Sequence, residues 1–278
     1  MGHGDSWQAI NPNLDIDEIC CKIGQAAKID DSVFFQEVDD TETIKEKVAV
    51  GLSYAETPLR YFMLCATKFI PEADEETTYY VYSAFPWCAE GIVSSLEVCE
   101  VGDWCNPIEG RIKASTLGGA SINFFDPHYY KNKQKYQVGK HYNFSLAGLV
   151  YRLRKAEEKV IELDLNSELK KILDPNLSLE PGDFTSMQIS TRGSCFFYPH
   201  EKYFDDVSFR APIEAIECFN FDGIKFYQLK VFLIKEDEEH TLPVYLYASE
   251  YVLKDYEPQV GDDIEGEIWL QGNLIDFD

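Results

Sequence analysis

No stretch of this sequence approaches the roughly 18 consecutive apolar residues that a membrane-spanning helix requires, so a helical membrane protein is excluded. Cysteine is too sparse for a disulfide scaffold, with eight thiols in 278 residues. None of them forms a C-x-x-C pair, which removes the strong zinc-site spacings. No charged segment followed by an apolar run opens the chain, so no secretory signal is expected. The G-x-S-x-G elbow, the phosphate-cradling glycine loop and the H-E-x-x-H helix are all missing. These absences point to a reducing, cytoplasmic compartment, to no cofactor or metal, and away from the commonest enzymes.

Positive charge is scarce as well. Forty-nine acidic residues stand against 25 basic ones, a formal net charge of −24. Such a surface repels a phosphate backbone and an anionic membrane, and it attracts a basic partner. The deficit is uneven. Residues 1–100 and 201–278 each hold 19 acids and 6 bases, a net of −13, whereas residues 101–200 hold 11 acids and 13 bases, a net of +2. Within that middle part, the 30 residues from Pro127 to Ala156 contain no aspartate or glutamate.

What is present is ample apolar material. Hydrophobic residues make up 45% and aromatics 14% of the chain, enough for a packed core and too much for disorder. Asp15 followed by Glu18 forms a capping pattern ahead of Ile16, Ile19, Cys20, Ile23 and Ala27 at helical spacing. Thr43 and Glu46 repeat that pattern and predict a second helix from Thr43 to about Ala55, ended by Pro58. Arg60 to Ile70 and Thr77 to Phe85 read as two strands of a hairpin around the acidic turn Pro71–Glu76.

Beyond about residue 98 the chain is strand and turn, and it repeats. Gln137-Val138-Gly139 leads into the apolar strand Tyr142–Leu149, and Gln259-Val260-Gly261 leads into Ile264–Leu274. A glycine, Gly148 or Gly272, follows shortly after a leucine in each strand. Pro107-Ile108-Glu109 and Pro212-Ile213-Glu214 read as a second pair of anchors, 105 residues apart against 122 for the first. The second copy then needs 17 extra residues. A longer hairpin fits them, Ile224 to Ile234 and back through Leu242, turning at Lys235–His240. Asp222-Gly223 is the strongest local hairpin signal. Asn166 to Leu173 suggests a short helix, and turns follow at Asp174–Asn176 and Pro181–Asp183.

The fold class expected is α+β and predominantly β. An N-terminal mixed α/β part (1–98) precedes two small antiparallel β-barrel-like units, OB-like or SH3-like, at 99–165 and 211–278, joined by 166–210. The OB-like label rests on strand count.

The acid-free window is the sharpest candidate site. Tyr129, Tyr130, Lys131, Lys133, Lys135, Tyr136, Lys140, Tyr142, Arg152 and Arg154 combine cations with aromatic faces, as a groove for a single-stranded nucleic acid does. The same residues could instead pair with the protein's own acidic parts. The corresponding stretch of the second copy, Ser249–Asp278, has one lysine and nine acids, so the copies cannot share a ligand. Asp126 and His128 stand two apart and could do acid–base work, although Asp-Pro is more simply a turn starter. Cys88, Cys99 and Cys105 match no zinc pattern. Cys195 with His200 nearby is a weak nucleophile candidate. The acidic runs Asp237–Glu239, Asp262-Asp263 and Asp276–Asp278 lack the spacing of a Ca²⁺ loop.

The function expected is that of a non-catalytic intracellular binding protein acting through acidic faces on a basic protein partner, as an antagonist or immunity-type protein does. Homo-oligomer formation is a second way to match the charges. The alternatives are a binder of single-stranded nucleic acid or another polyanion through 127–156, and an enzyme using Cys195 or the Asp126–His128 pair.

Overall fold

The computed structural model describes residues 6–38, 44–67, 78–164, 186–200, 203–238 and 240–275, and these are mostly strand with a few short helices. Among them no helix is long and apolar enough to cross a membrane. The chain opens with α1 (Ser6–Ile10) and α2 (Ile16–Ala26). Asp15 caps α2 as its position predicts, its carboxylate accepting the N–H groups of Asp17 and Glu18 at 3.0 and 3.3 Å. Ile19 and Ile23 form the buried stripe of the helix.

A four-stranded antiparallel meander follows, β1 (Lys28–Val38), β2 (Ile44–Tyr54), β3 (Leu59–Thr67) and β4 (Tyr79–Cys88). Where a helix is expected over Thr43–Ala55, Ile44–Tyr54 form a strand. The capping pattern misleads there, because the β-branched run and the period of two decide the conformation. Ala49 and Gly51 occupy the tight positions. A Cβ on Gly51 would lie 2.5 Å from the Tyr130 hydroxyl and 2.6 Å from the Phe62 ring. The turn at Pro71–Glu76, the helix at Asn166–Leu173, the turns at Asp174–Asn176 and Pro181–Asp183, and Asp276–Asp278 lie outside the described residues.

The rest of the chain builds a nine-stranded sheet. In chain order its strands are β5 (Ile92–Asp103), β6 (Gly110–Ser115), β7 (Ser121–Asp126), β8 (His141–Lys155), β11 (Phe196–Pro199), β12 (Asp206–Phe221), β13 (Ile224–Lys235), β14 (Thr241–Ser249) and β15 (Asp263–Ile275). The strands β9 (Val160–Asp164) and β10 (Ser186–Ser190) pair separately as a ribbon. Helix α3 (Tyr129–Asn132) lies between β7 and β8, and α4 (Glu250–Leu253) between β14 and β15.

The sheet order is β11-β12-β13-β14-β8-β15-β7-β6-β5, and β12 also pairs with β15 while β5 also pairs with β8. These pairings close two five-strand circuits, β12-β13-β14-β8-β15 and β5-β6-β7-β15-β8, which share β8 and β15. Each circuit contains one parallel contact, β14 with β8 or β7 with β15, and is otherwise antiparallel. The strands β8 and β15 thus each serve both circuits.

The two Gln-Val-Gly segments form the same turn. Gly139 donates its N–H to the Val98 carbonyl, and Val98 donates to Lys140. Gly261 donates in the same way to Ile213, and Ile213 to Asp262, all at 2.8–2.9 Å. Both glycines have positive φ, 81° and 87°, a conformation that L side chains resist. The turn pairs Val98 with Ile213, so the Pro-Ile-Glu anchors do not correspond. Ile108 lies in the loop before β6, whereas Ile213 lies within β12. With Val98 and Ile213 as the matching points, 115 residues apart, the second copy is longer by 7 residues rather than 17, and its hairpin strand β13 has 12 residues against six in β6. Asp222 and Gly223, both at positive φ, turn β12 into β13.

Alternation along the shared strands separates two cores. Phe144, Leu146, Val150, Ile264, Ile268 and Leu270 face the first core, inside the circuits. Ala147, Leu149 and Trp269 face the second, beneath the N-terminal part, with Phe62, Phe85 and Ile23. Two buried amides latch that part onto β15. Gln271 accepts from Cys88 N–H and donates to the Pro86 carbonyl, both at 2.9 Å, and Asn273 donates to the Cys88 carbonyl at 2.8 Å.

Leu146 lies opposite Gly272, and Gly148 opposite Leu270, so the two halves interlock about the Ala147–Gln271 pair. A Cβ on Gly272 would lie 2.4 Å from the Phe124 ring, whereas the nearest atom to one on Gly148 is a terminal methyl of Ile268 at 2.9 Å. Gly272→Ala is therefore expected to cost about 2 kcal/mol and Gly148→Ala less, because a methyl moves aside more easily than a packed ring. Urea unfolding of both variants checks this ordering, and equal costs would contradict it.

Candidate functional site

The acid-free window has two ends with different environments. At the first, α3 sits against β1 and the end of β5. Tyr130 donates its hydroxyl proton to Asp30 at 2.9 Å, Lys131 pairs with the same carboxylate at 2.6 Å, and the His128 Nε2 lies 3.5 Å from it. Lys133 pairs with Asp103 at 2.6 Å, and the Tyr129 hydroxyl donates to Asp103 at 2.8 Å. Tyr129, Tyr130 and Tyr136 are buried, so their ring faces belong to the cores and offer no platform for a base. Tyr142 is half-buried and holds the preceding turn, donating to the Lys135 carbonyl and accepting from Gln137 N–H. Lys135 and Lys140 are exposed.

The second end lies within β8, alongside the acid-rich β15. Antiparallel register builds two cross-strand rows over β11, β12, β15 and β8. One row is Tyr198, Ser208, Glu267, Arg152, and the other is Phe196, Arg210, Glu265, Arg154. The ion pairs follow these rows, with Arg152–Glu267 at 3.6 Å, Arg154–Glu265 at 2.5 Å and Arg210–Glu265 at 3.5 Å. Lys155 pairs with Asp262 at 2.5 Å just beyond. Lys131, Lys133, Arg152, Arg154 and Lys155 are thus salt-bridged to acids of β1, β5, β15 or the turn before β15. The pairs with exposed ends contribute only about 0–1 kcal/mol each. Their effect is to neutralise the window.

The sequence did not mark the aromatic edge of these rows. Phe196 and Tyr198 stand on one face of β11, both exposed, and with Arg152, Arg154 and Lys159 they line a groove of about 560 Å³. The i, i+2 spacing of Phe196 and Tyr198 puts both rings on one face of an extended segment, and that spacing was the available signal.

The polar residues proposed for chemistry are placed differently. Asp126 does not face the His128 ring. Its carboxylate accepts the His128 backbone N–H at 2.9 Å, the Tyr136 hydroxyl at 2.5 Å and the Asn132 amide at 3.1 Å. Burial pushes its pKa up to about 6 against the pull of those donors. The His128 imidazole packs among Trp87, Phe62 and Tyr130 and is 12% exposed. Burial first, and the Lys131 charge second, hold its pKa below the ordinary 6.5, with Asp30 opposing.

A depressed imidazole pKa stabilises the fold above pH 6.5, and that contribution is lost as the pH falls below it. A raised carboxyl pKa works the other way. Asp126 takes up its proton near pH 6 in the folded state and only near 3.8 when unfolded, so it adds stability as the pH falls through that window. In His128→Phe the stability difference from the native chain is expected to shift in the variant's favour below pH 6.5, by at most about 1.4 kcal/mol per pH unit. Denaturant midpoints of both chains from pH 7.5 to 4.5 check this. Parallel curves would show that the imidazole titrates as it does when unfolded.

Cys195 is half-buried, and burial raises its thiol pKa, the opposite of nucleophile activation. His200 lies near Tyr203. Cys88 is buried and Cys99 and Cys105 are exposed. Among the described residues no group of three or more His, Cys, Asp or Glu is arranged to hold a metal ion.

A second concave feature lies where the longer hairpin of the second repeat reaches the first. The β13–β14 turn meets the β6–β7 turn, and a cleft of about 220 Å³ opens between them and β5. Leu96, Ile234 and Leu242 line it, with Val93 and Leu117 exposed at the rim and Glu236 on one side. Leu117 was legible as an apolar residue in a Ser-Thr-Leu-Gly-Gly turn. No family model, no curated protein and no solved structure matches the chain.

Proposed function

We propose that the chain is a non-catalytic intracellular binding protein that engages a basic protein partner through acidic faces, as an antagonist or immunity-type protein does. The observation that carries this reading is the internal pairing of the window. With Lys131, Lys133, Arg152, Arg154 and Lys155 matched by the protein's own acids, the outward field is set by the large excess of carboxylates in a chain of net charge −24. A pull-down from the native cell is expected to recover a basic protein that is released as ionic strength rises. Release insensitive to salt would count against acidic-face binding.

Architecturally, each five-strand circuit is best read as an OB-like unit rather than an SH3-like one. The support is the order of parts, four antiparallel strands with a short helix between the third and fourth, closed by one parallel contact.

The groove beside Phe196 and Tyr198 supports a second reading, a site for a single-stranded nucleic acid or another polyanion. Two exposed rings and two exposed arginines share one face there. Glu265 and Glu267 line the same groove and oppose an anion. This reading requires salt-sensitive oligonucleotide binding that Arg152→Glu with Arg154→Glu abolishes.

A further inference from the structure

We infer that the cleft between the two repeats docks an extended, lysine- or arginine-bearing segment of the partner, with an aliphatic side chain beside the cation. The inference rests on the acidic-face reading and gives that reading a place.

Four consecutive residues of β5, Val93 to Leu96, line the cleft, which brings both faces of the strand to its margin. The pairing of β5 explains this. Ile92 to Glu97 pair with β8 on one side, but pairing with β6 on the other side starts only at Glu97. Among the described residues, Val93–Leu96 therefore have a strand neighbour on one edge only. A free strand edge beside a cavity is what an added peptide strand uses, its backbone supplying affinity and its alternating side chains specificity.

The walls state what those side chains are. Leu96 and Leu242 are buried and Ile234 half-buried, while Leu117 is 73% exposed at the lip. The volume is that of roughly seven waters, room for one aliphatic side chain and the stem of its neighbour. Glu236, Asp237 and Glu238 are exposed on the hairpin turn that closes the cleft. Among the described residues no lysine or arginine lines the cavity. Lys235, next to it in sequence, is turned to Glu214 at 3.1 Å and over the Phe232 ring. The His240 imidazole is held by Asp237 at 2.7 Å. An acidic margin without a cation, above an apolar floor, complements a basic segment with an aliphatic anchor.

The longer hairpin gives the second repeat a reach that the first lacks. A Cβ on Gly118 would stand 3.3 Å from the His240 ring and 3.5 Å from Glu236 Oε2, so the two turns are in contact and the cleft is walled by both repeats.

The test is fluorescence anisotropy at low salt with a labelled eight-residue peptide of alternating lysine and leucine. The full chain is compared with Leu117→Ser and with Glu236→Lys combined with Asp237→Lys, and circular dichroism verifies that each is folded. Both variants are expected to bind at least about tenfold more weakly, and peptides alternating lysine with serine or glutamate with leucine to bind the native chain more weakly still. Equal binding by native chain and variants overturns the cleft while leaving the acidic-face reading standing. Binding of either control peptide as tightly as lysine–leucine also overturns it. If the native chain binds neither lysine peptide, both the cleft and the acidic-face reading fail.

Discussion

Trp269→Ala is expected to destabilise the chain by about 4 kcal/mol, the largest effect of any single truncation considered. Trp269 is fully buried on the outer face of β15, where its ring meets Phe125 at 5.1 Å and Phe85 of β4 at 6.0 Å. It therefore fills the core between the shared strands and the N-terminal part. Its indole N–H also donates to Asp205 at 2.8 Å, and burial raises that carboxyl to about 6. Truncation leaves a cavity and removes a donor from a buried acid, two costs that add. Urea unfolding at pH 7 measures the change, and a loss below about 2 kcal/mol would mean that the second core is not packed as described.

Arg210→Ala is expected to cost about 3 kcal/mol, because it breaks a buried charge network. The Arg210 side chain is 5% exposed and contacts Glu265 at 3.5 Å, Asp263 at 3.8 Å and the Glu157 carbonyl at 3.1 Å. Its row partner Arg154 stands at the open end, and Arg154→Ala is expected to cost less than about 1 kcal/mol. The contrast is the informative quantity. Both arginines pair with Glu265, so equal losses would show that burial does not control the strength of these pairs.

Much of the fold was legible where local chemistry decides conformation. Asp15 caps its helix because its carboxylate reaches two N–H groups, and Asp222-Gly223 turns because both residues accept positive φ. The Gln-Val-Gly turns recur because each glycine adopts the same conformation and makes the same hydrogen bond. The long hairpin Ile224–Leu242 was legible from its own two apolar strands and acidic turn, whereas the count of 17 extra residues rested on the mismatched Pro-Ile-Glu anchors. What the sequence could not show is non-local. That β8 and β15 each serve both repeats depends on pairings across more than 100 residues, which leave no mark in the period of either strand. The Pro-Ile-Glu match was coincidental, since Ile108 and Ile213 occupy unrelated places. At β2 a capping pattern outweighed a period of two that was present in Val48, Val50 and Leu52.

The candidate site was legible as a charge anomaly but not as an arrangement. The window's tyrosines resembled stacking platforms because composition cannot distinguish an exposed ring from a buried one. Tyr130 is buried because Gly51 admits it, a fact that belongs to another strand. Except for Asp103, the acids that match the window lie in the acid-rich lobes, and register alone placed Glu265 opposite Arg154 and Glu267 opposite Arg152. The aromatic pair Phe196 and Tyr198 and the lip residue Leu117 became noteworthy only once their exposure was seen.

The most direct measurement is the titration of the native chain with a labelled single-stranded oligonucleotide at low salt, beside the variant carrying Lys131→Glu, Lys133→Glu and Lys135→Glu. If the window's cations are matched within the fold, the expected result is no binding by either protein. Salt-sensitive binding by the native chain that the triple variant loses without unfolding would contradict this, and would show that the acid-free window faces outward as a polyanion site.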